Sequence, residues 1–391
     1  MSISRKTLGQ VYGDEGLSYP DILAWPLEGD AEIERSLREK RFLEGTVTRP
    51  PEGLEWMASH AVAKYRPDRV LEGCRSVLVT SLGYFRDDPA DREGAESRGG
   101  RVPSGRIARY ARGRDYHKEL GGRLRRIARR LKELSPDDGF RSFVDIGPLD
   151  ERWLAEASGA GFLGRNGLVI LRGAGSWAVL GHIVTTHSFP RPPRRPPPRV
   201  CPDGCRRCIE ACPADALTMP GLLDASRCLS TLTIERKGVL PEEFRAVAGD
   251  RVFGCDVCQE VCPFNARIPP ADVAAFSRDI AGASVLLAEL LALRNHDDVT
   301  DRFAGSPLMR AGRAGLVRNA CTAAGNLAAG VERTDGEAVD AAGLIEIVRL
   351  LVDLVDDEDE GVRVHARWAL ERLRAAGLSV SDRGRRPRES G

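Results

Sequence analysis

The chain has 391 residues, 42% of them hydrophobic, and its 58 Lys and Arg against 57 Asp and Glu leave a formal net charge of +1. At roughly 100–200 residues per domain this length predicts two to three domains with a real core, which excludes a peptide toxin or a lone small electron carrier. No run of about 18 apolar residues occurs and the start of the chain is polar, so a membrane span, a membrane partner and an export signal are excluded, and a soluble cytoplasmic protein is expected.

Residues 1–189 read as a mixed α/β domain. The short apolar runs Ser76–Leu82, Phe143–Asp145 and Gly167–Leu171 predict strands. Tyr116–Leu134 predicts a helix, because leucine and isoleucine recur there at helical spacing among Arg and Lys. Residues 190–200 are rich in Pro and Arg and read as a linker, since proline lacks the amide donor and fixes φ. Residues 201–271 hold eight of the ten cysteines and too little apolar material to fold without metal. Residues 272–381 turn helical. There Val317-Arg-Asn-Ala320 with Ala323, Ala324 and Leu327 recurs 45 residues on as Val362-Arg-Val-His-Ala366 with Ala369, Leu370 and Leu373. That offset falls inside the roughly 40–47 residues of HEAT-type helical pairs. Residues 382–391 read as a disordered tail. The expected class is an α+β multidomain protein.

The cysteine runs carry the chemistry. Cys255-Asp-Val-Cys258-Gln-Glu-Val-Cys262-Pro263 follows a C-x2-C-x3-C-P pattern, and Cys201, Cys205, Cys208 and Cys212-Pro213 form a first run, with Cys228 between the two. In two-cluster ferredoxins the fourth cysteine of a run crosses to the other cluster. By that rule Cys205, Cys208 and Cys262, with Cys201 as fourth ligand, hold one 4Fe–4S cluster, and Cys212, Cys228, Cys255 and Cys258 hold the other. Cys201 departs from ferredoxin spacing by one extra residue. Zinc is the competing occupant, because C-x2-C pairs also build tetrahedral sites. Cys74 and Cys321 stand in apolar segments and read as buried thiols.

Two clusters deliver single electrons, so the first domain should bind an acceptor. No G-x-G-x-x-G follows a strand with an acidic residue about 20 positions on, and there is no P-loop.

The motifs Arg109-Tyr-Ala-Arg-Gly-Arg-Asp-Tyr-His117, Phe143-Val-Asp-Ile-Gly-Pro-Leu149, Gly164-Arg-Asn166, Gly175-Ser-Trp177, Arg227-Cys-Leu-Ser-Thr-Leu-Thr-Ile-Glu235 and Gly254-Cys-Asp-Val-Cys-Gln-Glu-Val-Cys-Pro263 resemble the epoxyqueuosine reductase family. The resemblance runs from about Trp56 to the C-terminal helices. It implies a cobalamin-binding α/β domain, a ferredoxin-like module with two 4Fe–4S clusters, and C-terminal HEAT-like repeats. The implied reaction removes the epoxide oxygen of epoxyqueuosine in the tRNA anticodon loop. Asp145 matches the family's proton donor, and burial against the corrin is expected to raise its pKa and keep it protonated. Arg165, Asn166, Ser176, Ser230 and Thr233 match the loops that approach the corrin. Asn166 stands where some relatives carry histidine, and Thr231 where the family usually has an aromatic. The segment before Trp56 departs from the family.

Twelve Arg and Lys lie between Arg101 and Lys132, and Arg191, Arg194, Arg195 and Arg199 stud the linker. Such clusters neutralise phosphates, and Tyr110, Tyr116 and His117 among them can stack on an unpaired base. The expected partners are the tRNA anticodon arm and an external donor of the flavodoxin or ferredoxin type, acting on a monomer. Two rivals remain at this level. One is a small-molecule reductase resembling reductive dehalogenases, and the other is an electron-transfer or tRNA-binding protein without chemistry of its own.

Overall fold

The structure is a computed structural model that describes residues 3–44, 52–88, 102–190, 200–219, 221–328 and 341–377. Residues 191–199 of the linker, Arg101 and the tail 382–391 lie outside the described residues. The strands are β1 (Asp21–Ala24), β2 (Ser76–Gly83), β3 (Ser104–Ile107), β4 (Phe140–Phe143), β5 (Gly161–Leu163), β6 (Val169–Leu171), β7 (Ala178–Thr185), β8 (Leu217–Met219), β9 (Leu222–Leu223), β10 (Arg251–Phe253) and β11 (Ser284–Leu286).

β1, β2, β7 and β4 form an antiparallel sheet in the order β1-β2-β7-β4. Side chains alternate across a strand, so one sheet has two faces to cover. Leu78, Leu82 and Ile183 pack against α1 (Tyr116–Leu134) through Leu120, Leu124, Ile127 and Leu131. Val77, Val79 and Val184 pack on the opposite side against Trp153 and Leu154 of α2 (Glu151–Ser158). α1 rests directly on Gly181, where a Cβ would stand 2.7 Å from Leu124. Asp115 caps α1, its carboxylate accepting the His117 N–H at 2.9 Å.

The predicted strand Phe143–Asp145 is corrected. β4 ends at Phe143, paired with His182 of β7, and Asp145 takes a φ of +55° that lifts the chain off the sheet. β6 starts two residues later than the predicted Gly167–Leu171 run, because Gly167, with φ +75°, belongs to the turn of the β5–β6 hairpin.

A second sheet, β10-β3-β11, draws one strand from each of three distant stretches. β3 comes from the first stretch, β10 from the cysteine-bearing one and β11 from the helical one. Gly105 of β3 makes this fit possible, since a Cβ there would fall 2.3 Å from Val252.

In the C-terminal stretch the two copies of the sequence echo are α3 (Gly312–Asn326) and, after α4 (Ala341–Leu354), α5 (Glu360–Ala375). α3 and α5 pack together through Val317, Ala320 and Ala324 against Val362, Ala366 and Ala369. They approach closely at Gly325, where a Cβ would lie 2.5 Å from Trp368. Arg318 of α3 is fully buried. Its guanidinium donates to the carbonyls of Leu232, Arg236 and Gly238 at 2.8–3.0 Å, while Asn319 donates to those of Thr233 and Val252. Burial lowers the pKa of Arg318 to about 10, so it stays charged and ties the helices to the cysteine-bearing stretch. Cys74 and Cys321 are buried thiols, and burial pushes that of Cys74 up to about 12.

Candidate active site and metal centres

The two C-x2-C segments sit on short helices, Arg207–Glu210 and Val257–Glu260, that pack on one another. Cys201, Cys205, Cys208 and Cys262 line one cavity together with Gly164, Arg165, Asn166 and Phe264. Within this set Cys208 feels the charge of Cys201 and Cys262, and Cys262 that of Cys201 and Cys205. In the same way Cys228 feels Cys212, Cys255 feels Cys228, and Cys258 feels Cys255 and Cys228. The sulfurs thus fall into two quartets, each drawing on both runs. Cys258 also feels Cys208, so the quartets are neighbours. Among the described residues no three His, Cys, Asp or Glu side chains are grouped so as to hold a single metal ion.

Backbone donors already point at the sulfurs. Arg165 N–H lies 3.4 Å from Cys201 Sγ, and Ala216 N–H lies 3.3 Å from Cys212 Sγ. The Asp256 carboxylate accepts the Arg109 N–H at 2.7 Å and pins the second run to the segment leaving β3.

About Asp145 the chain builds a different site. Its carboxyl accepts a hydrogen bond from the Tyr116 hydroxyl, and His117 Nε2 stands 3.2 Å from Oδ2. His117 stacks on the Tyr116 ring at 4.1 Å, and its Nδ1 faces Asp115 at 2.9 Å. The Asp145 side chain is 51% exposed, although protein surrounds it on most sides. Enclosure raises its pKa, but His117 and Tyr116 outweigh that and hold the carboxyl below the usual range. The protein groups alone thus favour the charged carboxylate, the reverse of the shift expected from burial against the corrin. The proton resides on His117, where burial is overcome by Asp115 and Asp145 and the pKa rises to about 9.

Three further residues surround this pair, of which only Glu235 fell within a motif singled out in the sequence. Glu151, in the first turn of α2, accepts the Asp145 backbone N–H at 2.6 Å and has a strongly raised pKa, through burial and then the charge of Asp145. An acidic residue in a first helical turn ordinarily reads only as a dipole partner. Arg310 forks onto Glu235 at 2.9 and 3.1 Å, and its charge also draws on Asp145 from far along the chain.

Two expected corrin contacts are placed otherwise. Ser176 is buried, its hydroxyl donating to Gln259 at 3.1 Å and accepting from Asn265 at 2.8 Å. The Thr233 hydroxyl is buried too, donating to Leu229 O at 2.7 Å and accepting from Gly254 N–H at 2.9 Å. Buried hydroxyls find protein partners, and these two brace the cysteine loops. Ser230 is partly exposed and accepts the Cys255 N–H at 3.1 Å. Arg165 and Asn166 lie in the β5–β6 turn beside the first quartet. That turn meets the start of α2 through Arg152, which donates to Gly167 O at 3.2 Å. It also meets the β8–β9 hairpin, whose Met219, Leu222 and Leu223 are exposed, as is Ile146 beside Asp145. The exposed apolar side chains of the hairpin thus border the turn that carries Arg165, with Leu223 beside Gly167.

The basic stretch is largely paired. Arg123 binds Glu119, Arg126 binds Glu15 and Arg130 binds Glu133 at 2.6–2.8 Å. Arg109 lies over Trp177 at 5.2 Å, and Arg112 is buried. Lys118, Arg125 and Arg129 are exposed on α1 without an ion pair to a described residue.

Two neighbouring sulfur quartets and a carboxylate–imidazole pair define an iron–sulfur oxidoreductase. Residues 201–265 match the family model described as a 4Fe-4S double cluster binding domain, and residues 64–146 match that of epoxyqueuosine reductase QueG, DUF1730. The epoxyqueuosine reductase of Aliivibrio fischeri is 34% identical over 320 residues, covering 81% of this chain and 80% of the relative. That of Xanthomonas campestris is 35% identical over 317 residues, covering 81% and 83%. An epoxyqueuosine reductase solved with a tRNA-Tyr epoxyqueuosine-modified stem loop superposes with a TM-score of 0.72 at 25% identity, over 94% of this chain and 98% of the other. The chain belongs to the epoxyqueuosine reductase family, and it carries two 4Fe–4S clusters.

Proposed function

We propose that this chain reduces epoxyqueuosine to queuosine in tRNA, with cobalamin as the reacting cofactor and the two clusters as its electron supply. The observation that carries the reading is the Asp145 carboxyl paired with protonated His117, in a chain that also holds two sulfur quartets. Loss of the epoxide oxygen as water takes two electrons and two protons. Cobalamin, when bound, supplies a strongly nucleophilic low-valent cobalt that opens the epoxide.

The residues handle binding and protons. Ile146, Met219, Leu222 and Leu223 offer the corrin an apolar seat, and Arg165 and Ser230 offer its amides polar partners. As the ring opens, the proton held on His117 Nε2 passes through the Asp145 carboxyl to the developing oxyanion, the Tyr116 hydroxyl steadies the carboxylate, and solvent supplies the second proton. Cys201, Cys205, Cys208 and Cys262 hold one cluster, and Cys212, Cys228, Cys255 and Cys258 hold the other. An open groove of about 550 Å³ beside Cys262, lined by Arg207, Glu210 and Glu260, suits a flavodoxin- or ferredoxin-type donor. We read α3 and α5 as the corresponding helices of two successive HEAT-like repeats and the exposed cations of α1 as the tRNA contact of a cytoplasmic monomer.

The test is mass spectrometry of tRNA from a strain lacking the gene. Accumulated epoxyqueuosine, reversed by the wild-type gene and not by Asp145→Asn, is the expected result. Normal queuosine in that strain overturns the reading.

A further inference from the structure

We propose that the side-chain amide of Asn166 donates a hydrogen bond to a sulfur of the cluster held by Cys201, Cys205, Cys208 and Cys262, and thereby raises that cluster's reduction potential. The inference rests on the assignment of that quartet.

The β5–β6 turn is built to present this amide. Gly164 N–H donates to Leu168 O at 2.8 Å, and Gly167 N–H to Gly164 O at 2.9 Å, closing the turn tightly. The amide packs against the bare Cα of Gly164, where a Cβ would stand 2.7 Å from Asn166 Oδ1. Oδ1 accepts the Leu168 N–H at 3.2 Å, and only the oxygen of an amide can do that, so the position of the NH2 group is decided. Asn166 is 4% exposed, and its Nδ2 has no hydrogen-bond partner among the described residues. A buried donor left unpaired is costly, and in a native structure it calls for an acceptor.

The acceptor follows from the surroundings. The cavity that Asn166 lines is walled by the four cysteines of the quartet, and its other walls are mostly apolar. The neighbouring Arg165 already donates its backbone N–H to Cys201 Sγ. Thiolate and sulfide sulfur are therefore the acceptors this cavity provides once the cluster is in place. Reduction adds negative charge to those sulfurs, so an N–H donor stabilises the reduced form more than the oxidised one.

The experiment is an EPR-monitored redox titration of the full-length holoprotein. Asn166→Leu, which removes the donor at similar volume, is expected to shift one cluster to lower potential, leaving the other cluster and the iron content unchanged. Asn166→His, which restores an N–H, should return part of the shift. Unchanged midpoints in a fully loaded Asn166→Leu protein overturn the proposal, as does weakened cobalamin binding with unchanged midpoints. Should the variant fail to load, pulsed EPR on the unaltered holoprotein labelled with 15N-asparagine decides. A side-chain nitrogen coupling to one reduced cluster is expected, and its absence overturns the proposal. Failure of the quartet assignment looks different, because Cys201→Ser would then retain both clusters.

Discussion

Glu151 holds Asp145 by its backbone and not by its side chain. The Glu151 carboxyl accepts the Asp145 N–H at 2.6 Å while that residue sits at φ +55°, a conformation few side-chain-bearing residues adopt. Burial and then the charge of Asp145 push the Glu151 pKa up, toward the neutral form, so glutamine is expected to replace it as an acceptor. Glu151→Gln should keep turnover within about threefold. Glu151→Ala should lower kcat by roughly 10- to 100-fold with KM for tRNA unchanged, because a loosened acid costs chemistry and not binding. Equal losses in both variants would show that the carboxyl charge, and not its acceptor oxygen, matters.

The proton on His117 predicts a pH limb. Its pKa rises from 6.5 to about 9, so the Asp145–His117 pair keeps its shared proton at neutral pH and loses it as pH climbs through about 9. Turnover should therefore fall above about pH 9. The same linkage makes the His117 contribution to stability full below about 6.5 and lost as pH rises through about 9. In His117→Gln the alkaline limb should vanish from the pH–rate profile while cluster spectra stay unchanged. A limb that persists assigns the proton to another group.

On α1, pairing distinguishes neighbouring arginines. Arg125 and Arg129 are exposed and have no carboxylate partner among the described residues, whereas Arg126 is forked onto Glu15. Replacing Arg125 and Arg129 together by alanine should reduce the log–log salt slope of tRNA binding by about two if each meets one phosphate. Arg126→Ala should change it by much less. A slope near zero in the unaltered protein would speak for a small-molecule substrate instead.

Anaerobic reconstitution should give about eight iron and eight sulfide per chain. Cys258→Ala should remove the cluster of Cys212, Cys228, Cys255 and Cys258 and halve the iron, with a loss of thermal stability because metal binding and folding are coupled there. About four irons in the unaltered protein, or zinc in their place, would contradict the two quartets.

What the sequence displayed was what is local. The cysteine spacing foretold a double-cluster module, and the leucine period of Tyr116–Leu134 foretold both the helix and its buried face. The β10-β3-β11 sheet was hidden, since strands of three or four residues from distant segments leave no periodicity to detect. Ser176 and Thr233 looked available because hydroxyls in loops usually are, yet both are buried by partners from remote turns. Asp145 was recognisable, but its protonation depends on Tyr116 and His117, which reach it from α1.

The second sheet also sets an order of events during synthesis. β3 leaves the ribosome long before either partner strand exists, and at about 5–20 residues per second the wait for β10 is roughly 7–30 s. Cys201, Cys205, Cys208 and Cys212 emerge in that interval, but neither quartet is complete until Cys258 and Cys262 follow. Only then does β11 arrive to close the other edge of β3, with α3 and the carbonyl-seeking Arg318 after it. Both cysteine quartets are therefore complete in the nascent chain before the C-terminal helices have emerged to dock on them.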